Sequence, residues 1–252
     1  MRARFAIVRE VADTYDQCVT TQQEKIDVAL AKSQHEKYCS ALEKIGLKLI
    51  RIEADNHFPD CCFVEDTAIV ADDLAIITHP GAISRRGETD AVEKIISGYK
   101  SVHHITPPMT IDGGDVLEIG KKIFIGLSER TSRDAIDQVA QIVQSRNYEV
   151  IAVPVHHTLH LKSAVTALND SHIIMAEGFF DEIFFSDYEK IIVPRDEEYA
   201  ANCLAVNETV FIPQGFPVTK SLIERAGFKT IALENSEFKK GDGALTCLSI
   251  LF

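Results

Sequence analysis

Thr67-Ala68-Ile69-Val70-Ala71-Asp72-Asp73-Leu74-Ala75-Ile76-Ile77-Thr78 reads as a β-hairpin: two apolar runs meet at the turn residues Asp72-Asp73. The pattern returns in residues 115–126, turning at Gly120-Lys121, and in residues 164–175, turning near Asn169-Asp170. Residues 203–212 carry it a fourth time, turning at Asn207-Glu208. The turns lie about 40 to 50 residues apart, a period that signals a repeat or propeller-like architecture.

Between the hairpins the apolar period changes to that of helices. Residues 89–97 put Val92, Ile95 and Ile96 on one face, and residues 133–145 do so with Ile136, Val139, Ala140 and Val143. A shorter helix is expected over 220–226, and a first, longer one over about 24–45. Strands are expected after them at 48–52, 100–105, 149–155 and 229–233; residues 178–187 read as loop. The two ends supply a fifth, split unit: an N-terminal strand over 4–8 and a C-terminal strand over 247–252. Pairing them would close a ring and remove an exposed sheet edge. An ordinary open α/β domain is the other reading of the same pattern.

The 252 residues carry a net charge of −12, with 46% hydrophobic and 25% charged side chains, a globular mixture that excludes global disorder. No linker rich in Pro, Gly or Ser interrupts them, so residues 1–252 read as one domain. The acidity argues against nucleic acid, whose phosphates need clustered Lys and Arg. It leaves room for a small anionic group held by one or two local cations. The stretch Met1-Arg2-Ala3-Arg4-Phe5-Ala6-Ile7-Val8-Arg9-Glu10 is too quickly charged for a secretory leader. No apolar run approaches the roughly 20 residues of a membrane span. The expected compartment is therefore the cytoplasm, with no membrane partner. Cys18, Cys39, Cys61, Cys62, Cys203 and Cys247 are too sparse for a disulfide scaffold and include no C-x-x-C pair.

Polar residues cluster just before the hairpins: Asp60, Glu65 and Asp66 before the first, Asp112 and Asp115 at the second, His160 before the third and Asn202 before the fourth. Cys247 opens the last strand after a Gly-rich approach. In a pseudo-symmetric ring these positions would converge at one end of the axis. Each has a plainer reading. Cys247 could be a packed core thiol; a Cys with a His and a carboxylate elsewhere in the chain is also a candidate nucleophile. His156, His157 and His160 form an H-H-x-x-H run, but the segment looks strand-like and holds no glutamate, unlike helical zinc motifs. Asp112 and Asp115 flank Gly113-Gly114, which a turn alone would explain. Glu65-Asp66 is either a solvated loop or a paired anionic site for a cationic ligand. Arg85 and Arg130 recur at equivalent places after two hairpins, where a planar fork could hold a carboxylate. Together these residues fit a ligand with a cationic head and a carboxylate tail, as in arginine and its derivatives.

Several blocks carry a resemblance to a known family: Phe58-Pro59-Asp60 through Phe63-Val64-Glu65-Asp66, Ser84-Arg85-Arg86-Gly87-Glu88, Asp112-Gly113-Gly114-Asp115-Val116 and Gly126-Leu127-Ser128-Glu129-Arg130-Thr131. Leu159-His160-Leu161-Lys162-Ser163, Ala201-Asn202-Cys203 and Leu245-Thr246-Cys247 continue them in order. From about residue 58 onward the chain resembles the dimethylarginine dimethylaminohydrolase family of the guanidine-modifying superfamily. That resemblance implies a five-bladed α/β propeller closed by the N- and C-terminal strands. It implies Cys247 as nucleophile, His160 as general acid and base, and Asp112 as the carboxylate that orients His160. It further implies Asp66, with Glu65 beside it, at the guanidinium, Asp60 at the α-amino group, and Arg85 and Arg130 at the α-carboxylate. Backbone groups at Gly241 and near Cys18 would complete the pocket. No metal or other cofactor is implied. Relatives carry a Gly-Leu-Thr-like segment in an N-terminal lid loop where this chain reads Tyr15-Asp16-Gln17-Cys18-Val19-Thr20.

The expected activity is hydrolysis of Nω-methylated L-arginine to L-citrulline and a methylamine through a covalent Cys thiouronium. The alternatives are a hydrolase of another guanidino or ureido compound, such as arginine or citrulline itself, and a non-catalytic guanidino-ligand binding protein. The small molecule is the expected partner, and a homodimer is left open.

Overall fold

A computed structural model describes residues 3–252; Met1 and Arg2 of the N-terminal stretch lie outside the described residues. β1 (Phe5–Arg9) leads through helix α1 (Val28–Lys44) into β2 (Lys48–Ile52), which pairs with it in parallel. The next three strands are β3 (Ala68–Ala71), β4 (Leu74–Ile77) and, after α2 (Thr89–Ile96), β5 (Ser101–His104). β6 (Val116–Ile119), β7 (Lys122–Leu127), α3 (Arg133–Val143) and β8 (Glu149–Pro154) repeat that unit. So do β9 (Val165–Ala167), β10 (His172–Met175) and β11 (Glu189–Ile192), without an α-helix between the last two. β12 (Leu204–Val206), β13 (Thr209–Pro213), α4 (Pro217–Arg225) and β14 (Lys229–Leu233) complete the fourth repeat. α5 (Ser236–Lys240) and β15 (Ile250–Leu251) follow. Each unit is thus an antiparallel hairpin with a parallel outer strand.

β15 pairs antiparallel with β1, Ala6 opposite Leu251 and Ile7 opposite Ile250, so the two ends build the fifth three-stranded sheet. Val70, Leu117, Ala167, Ala205 and Leu251, one from each innermost strand, line a common axial cavity of about 230 Å³. The five sheets therefore stand around one axis as a five-bladed α/β propeller, and the open-domain reading is set aside.

The local chemistry explains the blades. Asp72, Gly120 and Asn207 each take a positive φ at a hairpin turn, the region that Gly, Asn and Asp tolerate. Asn169 closes the remaining hairpin by accepting from the Ser171 and His172 amides. Middle strands are covered on both faces: Ala6, Ile7 and Val8 are fully buried, as are Leu74, Ala75 and Ile76. Each such branched side chain contributes roughly 1.5–3 kcal/mol of burial. α2 and α3 bury Val92 and Ile96, and Ile136, Val139 and Val143, against the sheets.

Several boundaries differ from expectation. The first helix starts at Val28, because the Asp27 side chain caps the Leu30 amide. α4 starts three residues early at Pro217, where proline suits a first helical turn. α5 and β11 were not anticipated, and residues 178–187 include a short 3₁₀ turn, Glu182–Phe185. The final strand is shorter than expected. Cys247 sits inside a 3₁₀ turn, Thr246–Leu248, because side-chain bonds at Thr246 hold the chain out of sheet geometry. No helix among the described residues is long and apolar enough to cross a membrane.

Candidate active site

Every innermost strand is approached through a 3₁₀ turn at the same end of the axis. These are Val64–Thr67, Gly113–Asp115, Leu161–Ser163, Arg195–Ala201 and Thr246–Leu248. Asp66, Asp112, His160 and Cys247, carried on or beside four of them, line one small cavity. Asp60, Arg85, Arg130, Gly241, Val19, Leu159 and Asp242 supply further wall. Its free volume is about 20 Å³, little more than one water needs. A larger cavity of about 760 Å³ adjoins it across Leu159 and Asp242. The H-H-x-x-H run is divided between the two: His156 and His157 line the outer cavity and His160 the inner one.

His160 Nε2 lies 3.1 Å from Asp112 Oδ2, and both residues are buried. Asp112 is itself fixed, accepting from the Gly81 amide at 2.9 Å through Oδ1. Burial works against charge on the imidazole, but the Asp66 carboxylate, the bond to Asp112 and the nearby Asp115 outweigh it and raise its pKa to about 9. Asp115, fully buried, accepts from Ser128 Oγ, Thr131 Oγ1 and the Leu161 amide, so it anchors the His160 turn from behind. Gly114 makes this geometry possible, since a Cβ there would run into His160 Nδ1 and Asp66 Oδ1. At Gly113 a Cβ would overlap the Glu65 carbonyl oxygen.

Cys247 is partly buried and faces the cavity. Burial pushes its thiol far above the ordinary value, and Glu65 and Asp66 push it further. The resting site therefore combines a protonated imidazole with a neutral thiol.

Arg85 is buried with its fork on Glu88: Nε lies 3.1 and 3.2 Å from the two carboxylate oxygens, and Nη2 2.8 Å from one of them. Its Nη1 donates to Asp66 Oδ2 at 2.6 Å, and Nη2 also donates to the Phe63 carbonyl. Burial opposes the charge on Arg85, but Glu88, Asp66 and Asp60 hold it. Asp66 Oδ1 accepts from the Gly114 amide. Burial raises the Asp60 carboxyl, while Arg85 and the Val19 amide pull the other way.

The side chains of Glu65 and Cys18 stand elsewhere. Glu65 does not line the inner cavity: its carboxylate accepts from Lys162 Nζ at 2.6 Å and Thr246 Oγ1 at 2.8 Å, beneath Cys247. Cys18 does not line it either. Its thiol, pushed up to about 12 by burial, packs behind the loop against Gly241, in the core cluster with Tyr15, Phe63 and Phe238. Val19, the next residue, lines the cavity in the stretch where backbone groups near Cys18 were expected. The following loop is fastened over the cavity by Asp242, which accepts from Thr20 Oγ1, from the Thr21 amide and hydroxyl, and from Gln22 Nε2. Glu88, Lys162 and Asp242 had no place in the sequence-based site, although Glu88 and Lys162 fall inside the matching blocks.

Asp66, Asp112 and His160 also bring three potential metal donors within 4.8 Å of one another. A cation there would have to displace Arg85 from Asp66 and the proton from His160. The donor set suits proton transfer beside a bound cation better than metal coordination.

A family model described as arginine deiminase matches residues 85–191. The chain is 36% identical over 230 residues to an N(G),N(G)-dimethylarginine dimethylaminohydrolase of Pseudomonas aeruginosa, covering 90% of this chain and 91% of that one. It is 34% identical over 257 residues to the protein of that name from Streptomyces coelicolor, covering 99% and 97%. A solved Cys-to-Ser variant of the Pseudomonas aeruginosa enzyme, complexed with citrulline, superimposes with a TM-score of 0.97 over the whole of both chains at 34% identity.

Proposed function

This chain belongs to the dimethylarginine dimethylaminohydrolase family, and on that premise we propose that it hydrolyses Nω-methylated L-arginine to L-citrulline and a methylamine. The observation that carries the reading is one buried cavity holding a thiol, an imidazole kept charged by carboxylates, and two arginines. In this reading Asp66 faces the guanidinium, Asp60 the α-amino group, and Arg85 and Arg130 the α-carboxylate. Arg130 is the better placed of the two cations, since it forms no ion pair among the described residues, whereas Arg85 is largely committed to Glu88 and Asp66.

The electrostatics fit the chemistry. A bound guanidinium brings positive charge next to Cys247 and favours loss of the thiol proton to solvent, since His160 is already protonated; the resulting thiolate attacks the guanidinium carbon. His160 already carries the proton that the leaving methylamine needs. The departing amine takes it and leaves a thiouronium on Cys247. Neutral His160 then deprotonates water, whose attack breaks the C–S bond and releases citrulline. Asp112 keeps the ring oriented through both half-reactions.

The test is incubation with asymmetric dimethylarginine and monomethylarginine, reading citrulline and amine. Both should form, and Cys247→Ser should abolish them in folded protein. No citrulline from either substrate overturns the proposal. The arginine deiminase match over residues 85–191 favours a second reading, release of ammonia from unmethylated arginine. A higher kcat/KM for arginine than for its methylated forms would select it. We also read residues 1–252 as one domain, which the β1–β15 pairing supports, and place it in the cytoplasm, which six unpaired cysteines support.

A further inference from the structure

Four of the five 3₁₀ turns present Asp66, Asp112, His160 or Cys247 to the inner cavity; the fourth blade instead brings Asn202 to the equivalent place. Asn202 is 3% exposed and borders the outer cavity rather than the inner one, with its amide group engaged inside the protein. Its Oδ1 accepts from the Thr246 amide at 3.2 Å, and its Nδ2 donates to Thr246 Oγ1 at 3.0 Å and to the Lys162 carbonyl at 2.9 Å. Thr246 Oγ1 donates to Glu65 Oε2, and Glu65 Oε1 accepts from Lys162 Nζ. The ring is closed, and the amide and hydroxyl at its centre are satisfied.

We propose that Asn202 and Thr246 are positioning residues that fix the turn bearing Cys247 against the turn that follows His160. Three of the four members of the ring sit within two residues of an inner-cavity residue: Glu65 beside Asp66, Thr246 beside Cys247, and Lys162 two residues after His160. Holding both the amide and the hydroxyl of residue 246 sets the direction of the next Cα–Cβ bond, which is that of Cys247. The third bond of Asn202 ties the same side chain to the His160 segment. One amide side chain thus sets the thiol-to-imidazole separation across two blades. The ring also keeps Lys162 on Glu65, limiting how far that carboxylate disfavours the thiolate. The inference rests on the reading of Cys247 as nucleophile.

The test compares Thr246→Val, Thr246→Ser, Asn202→Ala and the parent in two assays. The first is steady-state turnover of monomethylarginine. The second is the pH dependence of iodoacetamide alkylation of Cys247 in substrate-free protein. Displacement of a reacting atom by about 1 Å costs on the order of 100-fold in rate. Thr246→Val and Asn202→Ala should therefore lose roughly 30- to 100-fold in kcat with KM changed less than about threefold. Their alkylation midpoint should move as well. Thr246→Ser, which keeps the hydroxyl, should stay within about threefold of the parent in both. Unchanged kcat and midpoint in Thr246→Val, or a Thr246→Ser protein as impaired as Thr246→Val, would overturn the proposal. Should Thr246→Val fail to fold, Asn202→Ala and Thr246→Ser still decide it. A parent that releases no citrulline, with Thr246→Val and Asn202→Ala still showing the expected midpoint shifts relative to it, would refute the proposed reaction and leave the positioning role supported.

Discussion

Replacing Asp112 by Asn tests the central pair of the site with almost no change of shape. Asp112 Oδ1 holds the Gly81 amide and Oδ2 faces His160 Nε2 at 3.1 Å. With Oδ1 kept on Gly81, the new amide group would point an N–H at the imidazole nitrogen that now donates. The charged ring loses a charge-assisted hydrogen bond, worth about 1.5–3 kcal/mol. At 1.36 kcal/mol per pH unit, the His160 pKa should fall from about 9 by about one to two units. It does not collapse, because Asp66 and Asp115 still face the ring. Less of the imidazole is then charged near neutral pH, and the neutral ring is held with its proton on Nδ1, so it lacks the free lone pair there with which to deprotonate water. A positioned acid contributes about 10²- to 10⁴-fold, so kcat should drop within that range while KM moves little. Titration of the histidine ring by NMR in Cys247→Ser background reads the pKa, and citrulline release reads the rate. A His160 pKa that stays near 9, together with kcat within threefold of the parent, would refute the reasoning.

Three further outcomes follow from the surroundings. Glu88→Gln weakens the fork that fixes Arg85, so KM for methylarginine should rise by about 10- to 100-fold with a smaller change in kcat; an unchanged KM would show that Glu88 does not set the Arg85 position. Asp242→Ala removes the acceptor that fastens Thr20, Thr21 and Gln22 over the cavity, so proteolytic cleavage and hydrogen exchange in residues 19–22 should accelerate by about tenfold; equal rates would place the closing energy elsewhere. His35 is 3% exposed with Nε2 unpartnered, and burial lowers its pKa to about 4 from the unfolded 6.5. The unfolded chain therefore takes up a proton below 6.5 that the native protein refuses until about 4, so stability is lost as pH falls through that window, by about 3 kcal/mol in total. Urea unfolding of His35→Leu across the same pH range should show a shallower acid loss, and parallel curves would exclude His35 as its source.

The fold was legible because each blade repeats a strong local signal. Turn residues that tolerate positive φ recur between apolar runs, and the split fifth blade followed from two unpaired terminal strands. Helix ends were less legible, since α4 is set by a proline preceding the apolar stripe rather than by the stripe. β11 was hidden because the usual helix before it is replaced by a short 3₁₀ turn. That the Cys18 side chain packs behind the loop against Gly241 while Val19 lines the cavity depends on loop packing, and no spacing rule encodes that contact.

The remaining difficulty lies in neighbouring pairs. Glu65 and Asp66 are both acidic and adjacent, and composition gives no reason to separate them. In a 3₁₀ turn successive side chains point about 120° apart, so two neighbours cannot share one target. Val64–Thr67 turns Asp66 into the cavity and Glu65 to its floor. The turn Thr246–Leu248 divides its residues in the same way, sending Cys247 inward and Thr246 down onto Glu65. The two floor residues meet because the two lining residues do: blades packed around one axis bring equivalent turns together on both faces. A motif read along the chain therefore finds the pair, while the 3₁₀ turn decides which member does chemistry and which holds it in place.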